Sequence, residues 1–181
     1  MLFREADDRE LVLKARRGNV EAYNLLVSRW EKRVFNYILR LMGDREDALD
    51  LTQDTFFKAY QNLEKLDDPS RFAPWLYRIA HNEAYSQLRR NRPDTEELQD
   101  RAPDAQGRRL LPMETSLAVQ SALNRLTPDQ REAVVLKVYE GFKFEEIAEI
   151  LNCPASTVKS RVYTALDALK DALAPVRLRG V

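Results

Sequence analysis

Three sets of side chains have types and spacing suited to binding. Asp47, Asp50, Asp54 and Lys58 recur at three- and four-residue intervals, which puts them on one side of a helix. Carboxylates on one stripe repel each other unless a cation comes from elsewhere, so this stripe expects a positively charged partner. Further on, Arg71, Arg78, Arg89 and Arg90 alternate with Phe72, Trp75, Tyr77 and Tyr85. Rings that stack on bases and arginines that hold phosphates are what an unpaired DNA strand requires. The third set, Ser156, Thr157, Lys159, Ser160, Arg161, Tyr163 and Thr164, opens a helix near the C-terminus. Small hydroxyls permit close approach, and Lys and Arg meet phosphates or guanine edges in a major groove.

Each set has a plainer reading. Mixed charge often only solvates a helix. Trp75, Leu76 and Ile79 are better read as core than as contacts, and Phe56 is at least as well read as core. The C-terminal pair of helices also fits an ordinary hairpin with a solvated face. Asn82 and Arg78 are the stronger candidates for contact in the middle set.

Catalysis is not expected. One histidine and one cysteine, His81 and Cys153, cannot build a zinc site of the usual kind. No G-x-S-x-G surrounds a serine, and no P-loop or G-x-G-x-x-G occurs. No cofactor is implied. A single cysteine excludes an internal disulfide and suits a reducing cytoplasm. No apolar run is long enough for a membrane span, and the charged N-terminus is unlike a signal peptide.

The 29 basic and 29 acidic residues balance, but the average hides segregation. Asp44 to Asp68 is mainly acidic, whereas Arg71 to Arg92 is basic apart from Glu83. Two different partners are expected, with nucleic acid for the basic block.

Helices must position all of this. Asn19 is expected to cap a helix through Met42 that stops at Gly43, with Leu26, Trp30, Val34, Tyr37, Ile38 and Leu41 buried. Asp44 caps the next helix, whose apolar stripe is Ala48, Leu51, Thr55, Ala59 and Leu63. A third helix starts at Phe72, with Pro74 in its first turn. Periodicity fails over 93–113, which reads as a flexible linker. Beyond it, "TSLAVQSALNRL" is helical, and Thr127, Pro128 and Gln130 make a capping box for a helix ending near Gly141. Phe144–Leu151 and Ala155–Leu173 follow, with Asn152 in the turn. Ile147, Ala148 and Leu151 are expected to face inward from the first. Val158, Val162, Leu166, Leu169 and Leu173 are expected to do so from the second, and Asp167 and Asp171 to point away from DNA. The fold expected is all-α, with two small helical domains at 1–92 and 114–181.

Nearly the whole chain resembles the extracytoplasmic-function sigma factors of bacteria. "EEIAEIL" followed by "STVKSR" is similar to their C-terminal helix-turn-helix, which binds the minus-thirty-five promoter element. "DALDLTQDTFFKAYQNL" resembles the helix that grips core RNA polymerase, and "FAPWLYRIAHNEA" the segment that melts and reads the minus-ten element. Ser86, Asn152 and Pro154 depart from residues common in the family.

The resemblance implies a factor that binds core polymerase, carries it to promoters and assists their opening. Polymerase contacts would be Asp47, Asp50, Gln53, Asp54, Phe57 and Lys58, on the largest-subunit coiled coil, with the flap as a further site. Minus-ten contacts would be Ser70, Arg71, Phe72, Arg78, Asn82, Arg89 and Arg90, with "LDDPSRF" as the base-reading loop. Minus-thirty-five contacts would be Ser156, Thr157, Lys159, Ser160, Arg161, Tyr163 and Thr164, with Arg161 nearer the DNA than Asp167. An anti-sigma factor is a further implied partner. A stand-alone helix-turn-helix regulator would need no acidic helix, and an enzyme with a DNA-binding tail would need the missing catalytic residues.

Overall fold

A computed structural model describes residues 6–91 and 113–177. All regular elements among them are helical, and the chain divides into two compact units, Met1–Glu96 and Glu97–Val181. Residues 93–112 of the expected linker lie outside the described residues, and Met113 already begins a helix.

The first unit contains α1 (Asp8–Arg16), α2 (Val20–Met42), α3 (Arg45–Gln61) and α4 (Phe72–Arg90), with 3₁₀ turns at Leu63–Lys65 and Pro69–Arg71. Its helix starts follow local chemistry. Asn19 accepts from the Ala22 amide at 3.0 Å, and Asp44 from the Asp47 amide at 2.9 Å. Gly43 closes α2 at φ 72°, a left-handed position that suits glycine.

The core lies where α2, α3 and α4 meet. Leu26, Val34, Tyr37, Ile38, Ala48, Thr55, Ala59, Leu76 and Tyr77 are fully buried or nearly so. The Tyr77 ring packs on Tyr37 at 5.1 Å and edge-on to Trp30 at 6.2 Å. Leu39 and Met42 are buried, whereas the expected Leu41 is only half-buried.

Helix α1 was not expected from the sequence. Asp7 caps it by accepting from the Glu10 amide, and Leu11, Val12 and Ala15 are buried. Asp8 accepts from the Trp30 ring N–H at 3.0 Å and pairs with Arg29. At the other end, the Arg16 guanidinium donates to the carbonyls of Leu63 and Leu66.

The second unit contains α5 (Met113–Asn124), α6 (Pro128–Val134), α7 (Phe144–Leu151) and α8 (Ala155–Arg177). The Thr127–Gln130 capping box is present in both directions, at 3.3 and 3.2 Å. The helix it starts does not run unbroken to Gly141. It widens into a π turn over Val135–Tyr139, in which Val135 and Leu136 are both buried. Arg131 donates to the carbonyls of Leu123 and Asn124, closing the end of α5.

Ile147 and Ile150 form the buried face of α7, while Ala148 and Leu151 are half-buried. Among the described side chains of α8, the buried ones are Val158, Val162 and Ala165. Leu166 is instead 39% exposed, and Leu169 and Leu173 are half-buried. The helix also continues four residues past the expected Leu173, to Arg177.

Between α7 and α8, Asn152 takes φ 50° and ψ 51°. A side chain in that conformation costs about 1–2 kcal/mol, least for Asn and nothing for Gly. Asn152→Ala is therefore expected to destabilise the second unit by about 1 kcal/mol, with Asn152→Gly near neutral. Urea unfolding of the full chain followed by circular dichroism checks this. An alanine variant as stable as the parent would contradict it.

Candidate nucleic-acid and protein-binding surfaces

The surface of α3 follows from which arc it buries. Ala48, Leu51, Thr52, Thr55, Phe56 and Ala59 face the core. The opposite arc carries two flanks. On one, Asp50 and Asp54 are exposed, with Asp47 half-buried beside them. On the other, Gln53 is exposed together with Phe57 at 62%, Tyr60 at 49% and Leu49 at 44%.

Lys58 does not neutralise the acidic flank. Its ammonium bonds instead to Glu83 on α4. Among the described residues, Asp50 and Asp54 have no ion-pair partner. Uncompensated carboxylates beside an exposed ring suit a partner offering cations and an apolar contact. Leu49 and Tyr60 were missed by the sequence reading. Their position next to Gln53 and Phe57 on the helical wheel would have identified them.

The second surface begins at the Pro69–Arg71 turn. Asp68 accepts from the Ser70 hydroxyl at 2.6 Å and from its amide at 2.9 Å. These two bonds, hydroxyl first, hold the Asp68 carboxyl below its usual range, and Arg71 adds to the effect. Ser70 is thus exposed but oriented.

Phe72, expected among the DNA contacts, is fully buried and packs at 6.0 Å from Trp75. It is core, because the 3₁₀ turn delivers it to the inner face of α4. Tyr77 is core as well. Trp75 is half-buried, so it lies less deep than expected. The exposed residues are Arg71, Arg78, Asn82, Arg89 and Arg90. Arg71, Trp75, Arg78, Asn82, Tyr85 and Arg89 succeed one another every three or four residues, forming one stripe. Half-buried Tyr85 rests against His81 at 4.4 Å. At the end of α4, Arg89, Arg90, Ser86, Glu83 and Lys58 line an open groove of about 530 Å³.

The third surface is the front of α8. Ser156, Lys159, Ser160, Tyr163 and Thr164 are exposed, and Thr157 and Arg161 are half-buried. Lys159 lies 5.6 Å from the Phe144 ring centre, which also holds Lys137 at 4.5 Å and Tyr163 at 6.2 Å. Lys137 and Phe144 were not among the expected site residues. Arg161 turns toward the start of α6, where it pairs with Asp129 at 2.9 Å. Asp167 is exposed and, seven residues after Ser160, lies two turns further along the same helical face.

Known proteins resemble the chain over both units. The chain matches the model described as Sigma-70 region 2 over residues 26–93, and that described as Sigma-70, region 4 over residues 116–169. It is 33% identical to the RNA polymerase sigma-H factor of Pseudomonas aeruginosa, covering 95% of this chain and 96% of that one. It is 33% identical to the ECF RNA polymerase sigma-E factor of Haemophilus influenzae, over 93% of this chain and 96% of that one. Among solved structures it resembles CnrH in complex with the cytosolic domain of CnrY, with TM-score 0.70 and 28% identity, covering 93% of this chain and 97% of that one. It also resembles the sigma factor RpoE in complex with the anti-sigma factor NepR from Bartonella quintana, with TM-score 0.68 and 28% identity, covering 84% and 96%.

Proposed function

The chain belongs to the sigma-70 family, in its extracytoplasmic-function group, and directs RNA polymerase in transcription initiation; from that premise we propose which of its faces do the work. The α3 surface docks on core polymerase through Asp47, Asp50, Gln53, Asp54 and Phe57, with Leu49 and Tyr60 extending the contact. The carrying observation is that Asp50 and Asp54 stand exposed and, among the described residues, without ion pairs beside a 62%-exposed Phe57. Burying Phe57 against a partner recovers apolar area that a free helix leaves in water. Lys58, tied to Glu83, borders this surface rather than leading it.

The stripe on α4 receives the minus-ten element as a melted strand. Arg71, Arg78, Arg89 and Arg90 hold phosphates, Asn82 offers an amide to a base edge, and Ser70 sits in the base-reading loop. Trp75 and Tyr85 take the stacking role that buried Phe72 cannot fill. Helix α8 reads the minus-thirty-five element through Ser156, Thr157, Lys159, Ser160, Tyr163 and Thr164. Arg161 lies at the rim of that surface.

The domains run 1–92 and 113–181, with 93–112 as the tether, one residue shorter than expected because Met113 opens α5. The protein contributes no catalytic group; polymerase performs the chemistry. It works in the cytoplasm, and a cognate anti-sigma factor restrains it, as the complexes of CnrH and RpoE suggest.

The test is reconstitution. Mixed with sigma-free core polymerase, the chain is expected to start transcripts at defined promoters. Alone, it should bind the same duplex only weakly, because each short surface offers few contacts until polymerase supports both. Tight, specific duplex binding without polymerase, and no initiation with it, would overturn the assignment of these faces.

A further inference from the structure

Arg161 leaves α8 on its flank, between the buried face of Val158, Val162 and Ala165 and the outward face of Ser160 and Thr164. One guanidinium nitrogen lies 2.9 Å from Asp129, and the other lies 3.9 Å from the Cys153 sulfur in the turn before α8. One arginine therefore links the start of α6, the turn and the recognition helix. The backbone that carries the acceptor is anchored, because Asp129 lies between the two partners of the Thr127–Gln130 capping box, while its carboxylate remains half exposed. The Arg161 side chain is still 29% exposed, and a guanidinium has five N–H donors in a fixed fork.

We propose that Asp129 is a positioning residue for promoter recognition, acting through Arg161. It holds the guanidinium at the edge of the groove-facing surface, so its rotamer entropy is lost on folding and not on binding DNA. Its carboxylate also offsets the Arg161 charge, which weakens attraction to phosphates of any sequence. The same contact thus raises discrimination and lowers non-specific affinity. The inference rests on α8 reading the upstream element, as proposed above.

The experiment uses holoenzyme reconstituted with core polymerase on promoter templates whose upstream element is randomised, with the transcripts sequenced. A second arm measures binding of the full chain to non-specific duplex against salt concentration. Asp129→Ala is expected to reduce base preference at the positions nearest Arg161 by roughly fivefold, the low end for a good base contact. It should also steepen the salt slope by up to about one unit, as a freed arginine would. Asp129→Asn keeps an acceptor oxygen, so it should retain most of the preference while still steepening the slope. The exchange variant Asp129→Arg with Arg161→Asp should recover the parent melting temperature without recovering preference.

That last pattern separates positioning from a merely structural ion pair. Full recovery of preference in the exchange variant would overturn the proposal. So would unchanged preference and slope in Asp129→Ala where the parent shows clear preference. A parent holoenzyme indifferent to the upstream element would remove the recognition role of α8 itself, and this inference with it.

Discussion

Replacing Asp50 and Asp54 together with lysine is expected to abolish co-purification with core RNA polymerase while leaving the first unit folded. Both carboxylates are exposed and neither holds an ion pair among the described residues. Removing them therefore breaks nothing inside the protein, and exposed substitutions of this kind usually stay within about 0.5 kcal/mol. The effect on the complex is large because each change replaces an attraction with a like-charge repulsion. Such juxtapositions cost several kcal/mol, so a loss of about 3 kcal/mol, more than a hundredfold in affinity, is expected for the pair. Asp50→Asn with Asp54→Asn should fall between parent and reversal, since it removes attraction without adding repulsion. Parent-like binding by the lysine variant would show that polymerase docks elsewhere.

Phe72→Ala should act in the opposite way, damaging the fold and promoter binding together. The ring is fully buried between the 3₁₀ turn and the core of the first unit. Truncating a buried phenylalanine costs about 3–5 kcal/mol, a large share of the 5–15 kcal/mol that holds a domain together. Thermal melting should show the first unit losing stability, and promoter opening should fail at temperatures the parent tolerates. Arg78→Ala makes the useful contrast, because Arg78 is exposed and its loss should spare the melting temperature. A Phe72→Ala variant that melts like the parent but loses minus-ten recognition would return Phe72 to the DNA surface.

The parts of this fold that were legible in the sequence are those decided locally. Asn19, Asp44 and Thr127 cap helices by bonding to amides three residues on, and Asn152 turns the chain by its own backbone preference. The α3 stripe was legible because its buried set keeps close to a 3.6-residue period. The α8 stripe was legible only in part: its first two steps, Val158 to Val162 to Leu166, are both of four residues, and each drifts about 40° around the helix. From Val158 the drift carries Leu166 out of the core and leaves Ala165 in its place.

Helix α1 was missed because nine residues give too few turns for a period to show against its dense charge. The π turn over Val135–Tyr139 is a local widening that helix propensity does not record. Of the site residues, Phe72 was misjudged and the partner of Arg161 was missed, for related reasons. Composition marked both as DNA-binding types. Whether the ring turned inward, and whether a carboxylate 32 positions upstream claimed the guanidinium, depended on contacts remote in sequence.

The Arg16 clasp sets an order of assembly. Its bonds to Leu63 and Leu66 span 47 and 50 residues, so they close a long loop. Helices α2 and α3 are separated only by Gly43 and Asp44, and bringing them together restricts far less chain. The α2–α3 hairpin and the equally local α1–α2 pair, joined through residues 17–19, are therefore expected to form before the clasp closes. Helix α1, with nine residues, is the shortest of the four α-helices of this unit, so it is expected to open first. In amide exchange, protection of α1 should fade through local opening while α2 and α3 remain protected until the whole unit unfolds.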